Sequence, residues 1–255
     1  MTAAGRPSGW DASAVDWSAQ LRAGYDRVRE EYNWPAFLRL LGPLDGLDVV
    51  DVGCGDGEMT RRLRAAGARI VGLDPSAEMI SAARAATGDA AIRYETVPAD
   101  APTAGLSNGS MDLVIGFMVV MSARDLDALA AGAARVLRPG GRLCLALLHP
   151  CFSHSGMRWS KSEGRRILEL LSYDSRRDVL GTVRFQGAQE RGKPGFVVLR
   201  QERTLADTLA PFLAAGLRLA DLTEPRPTAT DVVANKHLRR WRTVAPAFLH
   251  LAFER

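Results

Sequence analysis

The sequence predicts an α/β fold in which helices cover both faces of a mostly parallel sheet. Predicted strands and helices alternate from residue 47 to residue 148, the pattern typical of a parallel sheet with crossover helices. The segments 113–117 and 143–148 are continuously apolar, as strands buried on both faces are. Three glycines also lie together between the first predicted strand and the helix after it.

The whole chain has the composition of an ordinary globular protein. Its 255 residues fit one domain with an elaboration better than two independent domains. The three cysteines are odd in number and predict no disulfide framework, so we expect a reduced, cytoplasmic protein. We expect no membrane partner, because no stretch approaches the roughly 18 apolar residues of a membrane helix and the start of the chain does not resemble a signal peptide.

The first part of the chain is predicted to form a helical cap followed by five strands. Residues 10–41 are expected to be helical, with a break near residues 33–35. Ser76 is a good N-cap for the helix after the second strand. The predicted strands are 47–52, 69–73, 91–97, 111–117 and 142–148; the predicted helices are 56–66, 77–86 and 126–137; the predicted turn is 138–141.

The alternating pattern stops after the fifth strand. Residues 151–202 are predicted to be an inserted lid or substrate-binding segment, because long segments of this kind inside a compact domain are often lids. The elements predicted beyond residue 150 are a short helix at 167–171, a hairpin of 179–185 with 195–201, a helix at 204–215 and strands at 217–222 and 247–253. We therefore divide the chain into an N-terminal helical cap (1–41), a core (42–150 and 203–255) and the inserted segment (151–202).

The glycine cluster predicts a ligand site at the carboxyl end of the first strand. Gly53, Gly55 and Gly57 let the backbone turn tightly and approach a ligand closely. A dinucleotide site needs a small residue where this chain has Glu58, and a carboxylate there would lie close to pyrophosphate. Asp51, at the strand end, suits a ligand with an ammonium group. The loop therefore favours a zwitterion over a dinucleotide.

Residues 51–57 resemble motif I of the class I, Rossmann-like S-adenosylmethionine-dependent methyltransferases. Residues 138–142 resemble the turn before this family's fifth strand. The resemblance implies a doubly wound, seven-stranded sheet of order 3-2-1-4-5-7-6 with the last strand antiparallel. It also implies in-line methyl transfer, with S-adenosylmethionine as cofactor and S-adenosylhomocysteine as product.

The resemblance also implies which residues bind the cofactor. Asp74 stands where an acid accepts hydrogen bonds from the ribose. Asp100 and Ala101 are similar to the pair that meets adenine, and Phe117 and Met118 stand where the family places residues beside adenine and the methyl donor. The other residues expected at the cofactor are Tyr25, Asp51, Gly53, Cys54, Gly55, Gly57, Pro75 and Met79.

Several of these residues have an alternative interpretation without a ligand. Asp74 is also good capping chemistry for the next helix, and the segment around Asp100 is also an ordinary loop. Cys54 is a small packed side chain rather than a nucleophile. Tyr25 could close over the cofactor or pack in the helical core.

Two histidines are the predicted catalytic residues. His149 follows the fifth strand and could act as a general base near neutral pH, and His154 follows it in the inserted segment. The alternative for His149 is a structural role at the strand end. His149, Cys151 and His154 also allow a metal interpretation, but the spacing is tight and a fourth ligand is missing from the pattern, so we predict no metal.

The acceptor is predicted from the aromatic residues of the cap and the inserted segment. They suit a small aromatic or heterocyclic acceptor, as in methyltransferases of bacterial secondary metabolism that act on O, N or C atoms. The net charge of +4 comes from dispersed arginines, which disfavours nucleic acid. A tRNA or protein methyltransferase, an NAD(P)-dependent oxidoreductase and a non-catalytic cofactor-binding protein remain alternatives. We expect a monomer or a homodimer.

Overall fold

A seven-stranded sheet forms the centre of the protein. The computed structural model describes residues 9–173 and 177–255. The strands are β1 (Asp48–Val52), β2 (Arg69–Asp74), β3 (Arg93–Thr96), β4 (Met111–Phe117), β5 (Leu137–Leu148), β6 (Met157–Ser162), β7 (Arg165–Leu170), β8 (Arg177–Val183), β9 (Phe196–Glu202), β10 (Arg218–Thr223) and β11 (Phe248–Glu254). Seven of them pair in the order β10-β11-β5-β4-β1-β2-β3. Since β10 and β11 are the predicted sixth and seventh strands, the predicted order is confirmed.

Strand direction also follows the prediction. β1 pairs in parallel with both β2 and β4, so that Val50 lies between Val71 and Val114. β11 runs antiparallel to β5 and to β10. The predicted turn at 138–141 lies inside β5, where the pairing with β4 shifts register. All the carboxyl ends of the parallel strands therefore meet at one edge.

Helices cover both faces of this sheet. One face packs on α5 and α7, where Phe212 stacks on Phe253 with ring centroids 5.1 Å apart. The other face packs on α2, α3 and α4, with Phe37, Leu63 and Ile80 fully buried. The helices are α1 (Trp10–Arg22), α2 (Trp34–Leu41), α3 (Glu58–Ala65), α4 (Ala77–Ala85), α5 (Leu126–Val136), α6 (Gln186–Gln189), α7 (Leu205–Ala214), α8 (Ala229–Ala234) and α9 (Arg239–Thr243).

The break in the N-terminal helical region was predicted at the wrong place. α1 ends at Arg22, and Gly24 adopts a left-handed φ of 71° that stops the helix. A π-helical turn, Arg29–Asn33, then leads directly into α2. Residues 27–41 are continuously helical, so the chain passes through Pro35 without a break, and the π-helical turn lies directly before this proline.

The inserted segment forms two hairpins. β8 pairs with β9 in antiparallel register, which confirms the predicted hairpin. β6 pairs with β7, so the helix predicted at 167–171 is wrong and most of that segment is strand. Residues 1–8 and 174–176, which fall in the predicted cap and inserted segment, lie outside the described residues.

The segment between β10 and β11 also contains more structure than its prolines suggest. It forms α8, a short 3₁₀ turn (Lys236–Leu238) and α9. A capping box at Thr228 and Asp231 starts α8. Within the part of the chain that is described, none of the helices has the length and apolar character needed to cross a membrane.

Candidate active site

A large cavity opens at the carboxyl edge of the sheet. Its volume is about 1010 Å³, at the upper end of the roughly 300–1,000 Å³ typical of single-ligand sites. It begins at the ends of β1, β2 and β4, where open α/β sheets bind ligands. It continues to the inserted segment and to α9. The cavity therefore has room for a cofactor and a second molecule.

The glycine loop supplies the floor at one end of this cavity. All three glycines have positive φ, with 72° at Gly53, 56° at Gly55 and 74° at Gly57. A Cβ on Gly53 would meet Val119 at 2.3 Å, and one on Gly57 would meet Tyr94 at 2.5 Å. A Cβ on Gly55 would meet nothing within 4 Å. Gly53 and Gly57 are thus required by packing, whereas Gly55 leaves its backbone open to a ligand.

Asp74 fixes the position of this loop. Its carboxylate accepts hydrogen bonds from the backbone N–H of Gly55 at 2.9 Å and of Ser76 at 2.8 Å. The side chain is buried beside the cavity, and burial raises its pKa to about 6. The two interpretations of Asp74 are therefore compatible, because one carboxylate can hold the loop and still face the cavity.

Two further carboxylates near the loop have unsatisfied oxygens. Asp51 accepts a hydrogen bond from the Thr60 hydroxyl at 2.6 Å, and burial raises its pKa to about 7. Its other oxygen, Oδ1, is buried with no partner among the described residues. Oδ2 of Asp56 is also buried without a described partner, and Asp56 lines the cavity. Buried carboxylate oxygens without donors fit a ligand that carries an ammonium group.

Arg29, on the π-helical turn, brings a positive charge to the same cavity. Arg29 lines the cavity and donates from Nη2 to Oε2 of Glu58 at 2.8 Å. Asp26 lies beside it, and burial raises the pKa of this carboxyl to about 6. Glu58 lines the cavity as well, so the structure keeps a carboxylate where a dinucleotide would bring its diphosphate. The sequence analysis did not identify Arg29 or Asp26, which belong to no motif.

Met118 lies at the middle of the cavity with an unusual backbone. Its φ is 61°, a left-handed conformation that is uncommon for a residue with a Cβ. Its N–H donates to the carbonyl of Ala146 at 2.7 Å, and its sulfur accepts from the Asn33 side chain at 3.6 Å. Strain of this kind persists where the surrounding structure holds it, and it is concentrated at functional sites.

The far end of the cavity is mostly aromatic. Trp17 contacts Phe185 and Phe196 with ring centroids 4.7 Å and 5.2 Å apart, joining α1 to the inserted segment. Trp241 and Phe248 line the opposite side. The polar groups at this end include His237 and Arg240, which lie on the segment between β10 and β11.

Comparison with known proteins finds a methyltransferase domain in this chain. Residues 50–145 match the model of the methyltransferase domain family. The chain is 33% identical over 107 residues to a ubiquinone biosynthesis O-methyltransferase of Methylobacterium sp., covering 42% of this chain and 43% of that protein. It is 38% identical over 122 residues to a malonyl-[acyl-carrier protein] O-methyltransferase of Hahella chejuensis, covering 47% and 43%. The chain thus spans about half the length of the curated relatives it matches.

A solved structure extends the similarity over most of the chain. The S-adenosylmethionine-dependent methyltransferase from Mesorhizobium loti is 29% identical and superposes with a TM-score of 0.71, covering 87% of this chain and 97% of that one. Residues 50–145 form a methyltransferase domain, and the chain has the Rossmann-like fold of class I S-adenosylmethionine-dependent methyltransferases. The cofactor predicted from the glycine loop is the one named for that neighbour.

The methyltransferase brings most of the predicted cofactor residues to its cavity. Those that line it are Gly53, Cys54, Gly55, Asp74, Pro75, Met79, Phe117 and Met118. Asp51 and Gly57 are not among the residues that line it. Asp100 and Ala101 are exposed, and Val97, Pro98, Ala99 and Pro102 form the cavity wall in their place. The adenine contact assigned to Asp100 and Ala101 stays a prediction.

Tyr25 lies beside the cavity of the methyltransferase in a packed cluster. Its ring lies under the guanidinium of Arg191, 5.1 Å from it, and its backbone contacts Gly187. It belongs to the apolar group that includes Leu21 and Phe185. This position favours the packing interpretation of Tyr25 over direct cofactor contact.

The two predicted catalytic histidines of the methyltransferase are both engaged. Nδ1 of His149 accepts the N–H of Cys151 at 3.1 Å, and Nε2 lies 2.8 Å from a carboxylate oxygen of Glu224. Burial lowers the pKa of His149. Nδ1 of His154 accepts the N–H of Gly156 at 3.1 Å, and its Nε2 lies 3.4 Å from Glu202. These contacts favour a structural role in holding the chain after β5.

Proposed function

We propose that this protein transfers the methyl group of S-adenosylmethionine to an O, N or C atom of a small aromatic or heterocyclic acceptor. One observation carries this proposal: a single cavity of about 1010 Å³ runs from the open face of Gly55 to the aromatic wall at Trp241 and Phe248. A cofactor and an acceptor can lie end to end in such a cavity, as in-line displacement requires.

The residues of the loop end would hold the cofactor. Asp74 offers carboxylate oxygens to ribose hydroxyls. Asp56 offers an acceptor for an ammonium group, and Arg29 offers donors for a carboxylate. When bound, the cofactor supplies a methyl group on a positively charged sulfur, already activated for displacement. The chain's main contribution is therefore alignment, which can supply about 7–11 kcal/mol of the barrier.

The residues of the aromatic end would hold the acceptor and exclude water. Trp241 and Phe248 form flat apolar walls that suit a planar ring. The relatives reported above are named O-methyltransferases, which supports oxygen as the acceptor atom. Among the described residues, none hydrogen-bonds to the ring of His237, which lines this end. His237 is therefore better placed than His149 or His154 to accept a proton from a hydroxyl.

We also propose that the acceptor is a small molecule of bacterial secondary metabolism. A cavity with apolar walls fits the small-molecule acceptors of bacterial secondary metabolism better than an extended polymer. The proposed location is the cytoplasm, and the proposed oligomeric state is a monomer or a homodimer. The test below also includes tRNA and protein, so that a nucleic acid or protein acceptor would be detected.

Incubation with S-adenosylmethionine that carries a deuterated methyl group tests the proposal. The panel contains phenols, aromatic amines, heterocycles, total tRNA and a protein extract, and products are detected by mass spectrometry. We expect a labelled methyl group on one class of small molecule, and none when Gly55→Asp replaces the wild type. Labelling of tRNA or protein alone would overturn the small-molecule assignment.

A further inference from the structure

An arginine at the acceptor end of the cavity packs against a pair of indole rings. Arg240, on α9, lines the cavity. Its guanidinium carbon lies 4.7 Å from the ring centre of Trp241 and 5.5 Å from that of Trp159 on β6. The two indoles are themselves in edge contact, with centroids 5.3 Å apart. The guanidinium is thus fixed in place by cation–π contacts from two elements.

The charge of this guanidinium is not neutralised by any described residue. Within residues 9–173 and 177–255, no carboxylate forms an ion pair with Arg240, whereas Arg29 of the same cavity is paired with Glu58. The Nε atom of Arg240 is buried and has no described hydrogen-bond partner. Arg166 adds a second positive charge nearby, and burial together with this neighbour lowers the pKa of Arg240.

A second polar group near Arg240 is also unsatisfied. Tyr32 is buried against Phe248, with ring centroids 5.4 Å apart. Its hydroxyl has no hydrogen-bond partner among the described residues. Arg240 is close enough to oppose the rise that burial causes in the pKa of Tyr32. Buried polar atoms without partners are rare in native proteins, and Arg240, which lines the cavity, is the one of these two residues that a ligand there can contact.

We propose that the acceptor carries a carboxylate, or an anion of similar shape, which Arg240 binds at the aromatic end of the cavity. This inference rests on the proposed function, because it assigns the substrate class of the same site. Trp241 and Trp159 hold the guanidinium in place. A guanidinium can form paired hydrogen bonds with a planar anion. Arg166 strengthens the positive potential that attracts the anion.

A binding experiment without turnover tests this proposal. The probes are hydroxybenzoates and hydroxynaphthoates, each paired with its uncharged primary amide, and their binding to the protein with S-adenosylhomocysteine is measured by ligand-observed NMR. We expect each acid that binds to do so about tenfold to a hundredfold more tightly than its amide. Arg240→Gln should abolish this preference, and Arg240→Lys should keep part of it.

A matched control separates charge recognition from folding. Arg239→Gln removes an exposed arginine of the same helix and should leave the preference unchanged. Unchanged affinity for S-adenosylhomocysteine shows that each variant is folded. Equal binding of acids and amides, a preference that survives in Arg240→Gln, or no binding by any acid would overturn the proposal. Because no methyl transfer is measured, an acid preference can stand even where the proposed activity fails.

Discussion

The carboxylate of Asp74 at the end of β2 accepts a hydrogen bond from the backbone N–H of Gly55 at 2.9 Å. This bond joins two neighbouring strand ends across the floor of the cavity. It holds the glycine loop in the shape that turns the open side of Gly55 toward the cavity. The acid after the second strand thus organises the site as well as facing the ligand.

Asp74→Asn should weaken cofactor binding and lower stability. An amide has one oxygen, so its NH₂ group would face the N–H of either Gly55 or Ser76 and leave that donor unpaired. A buried unpaired donor costs about 1–3 kcal/mol. Calorimetric titration with S-adenosylhomocysteine should show an affinity at least about tenfold lower. Asp231→Asn, which removes a capping carboxylate of α8 outside the cavity, should lower stability and leave this affinity unchanged.

Gly55→Ala should reduce cofactor affinity more than it reduces stability. The left-handed φ of 56° costs a residue with a Cβ about 1–2 kcal/mol, and the added methyl group would point into open cavity space. Gly140→Ala is the matched control, because Gly140 has a φ of 78° and equally open surroundings far from the loop. The melting temperature should fall by a similar amount in Gly55→Ala and in Gly140→Ala. An equal affinity for S-adenosylhomocysteine in both would contradict the role given to Gly55.

Trp17→Ala should speed the release of the cofactor. Trp17 joins α1 to the inserted segment through Phe185 and Phe196, and it lines the cavity. Losing these contacts leaves α1 freer to move away from the cavity. Stopped-flow measurement should show faster dissociation of S-adenosylhomocysteine. Val15→Ala, at a position of α1 that is 76% exposed, should leave the rate unchanged; a similar rate in Trp17→Ala would argue against α1 as a cover.

Asp51→Asn should change how stability depends on pH. Burial raises the pKa of Asp51 from 3.8 to about 7 in the folded protein. The folded state therefore holds this proton more tightly than the unfolded state, and the free energy of unfolding of the wild type falls as the pH rises from about 4 to about 7. Asparagine does not titrate, so this trend is absent in the variant. Over that pH range the free energy of unfolding of the variant should therefore rise relative to that of the wild type by about 1–3 kcal/mol. Denaturant titrations giving parallel pH profiles would refute this account of Asp51.

His149→Gln and His237→Gln should have different effects. Both ring nitrogens of His149 hold backbone and carboxylate groups, so its loss should lower the melting temperature and leave kcat close to that of the wild type. His237 lines the acceptor end, and its loss should lower kcat by about 10²–10⁴-fold if a proton must be removed. Steady-state kinetics on the acceptor found by mass spectrometry measures both. The reverse ranking would restore His149 as the base.

The loop end of the site could be predicted from sequence because its signals are local. Three glycines between a strand and a helix, and an acid after the next strand, keep their meaning without any tertiary information. The exposed position of Asp100 could not be predicted in the same way. The loop after β3 turns at Pro98, whose carbonyl accepts the N–H of Ala101, and this turn directs Val97 and Ala99 to the cavity.

The acceptor end could not be predicted, because its residues come from segments without a motif. Arg240 and His237 reach the cavity only through the packing of the short helices between β10 and β11. A short helix was predicted at 167–171, but β7 pairs with β6 across a two-residue turn at Glu163 and Gly164, both of which have positive φ. The helix break lies at Gly24 and not near Pro35, because Gly24 takes a left-handed φ while the π-helical turn before Pro35 keeps the chain helical through the proline.

Titration of the wild-type protein with S-adenosylhomocysteine and, separately, with NAD⁺ and NADP⁺ tests the central claim most directly. We expect saturable binding of S-adenosylhomocysteine at one site per chain, abolished in Gly55→Asp, and no binding of either dinucleotide because Glu58 faces the cavity. Binding of a dinucleotide with no binding of S-adenosylhomocysteine would contradict the assignment of this site.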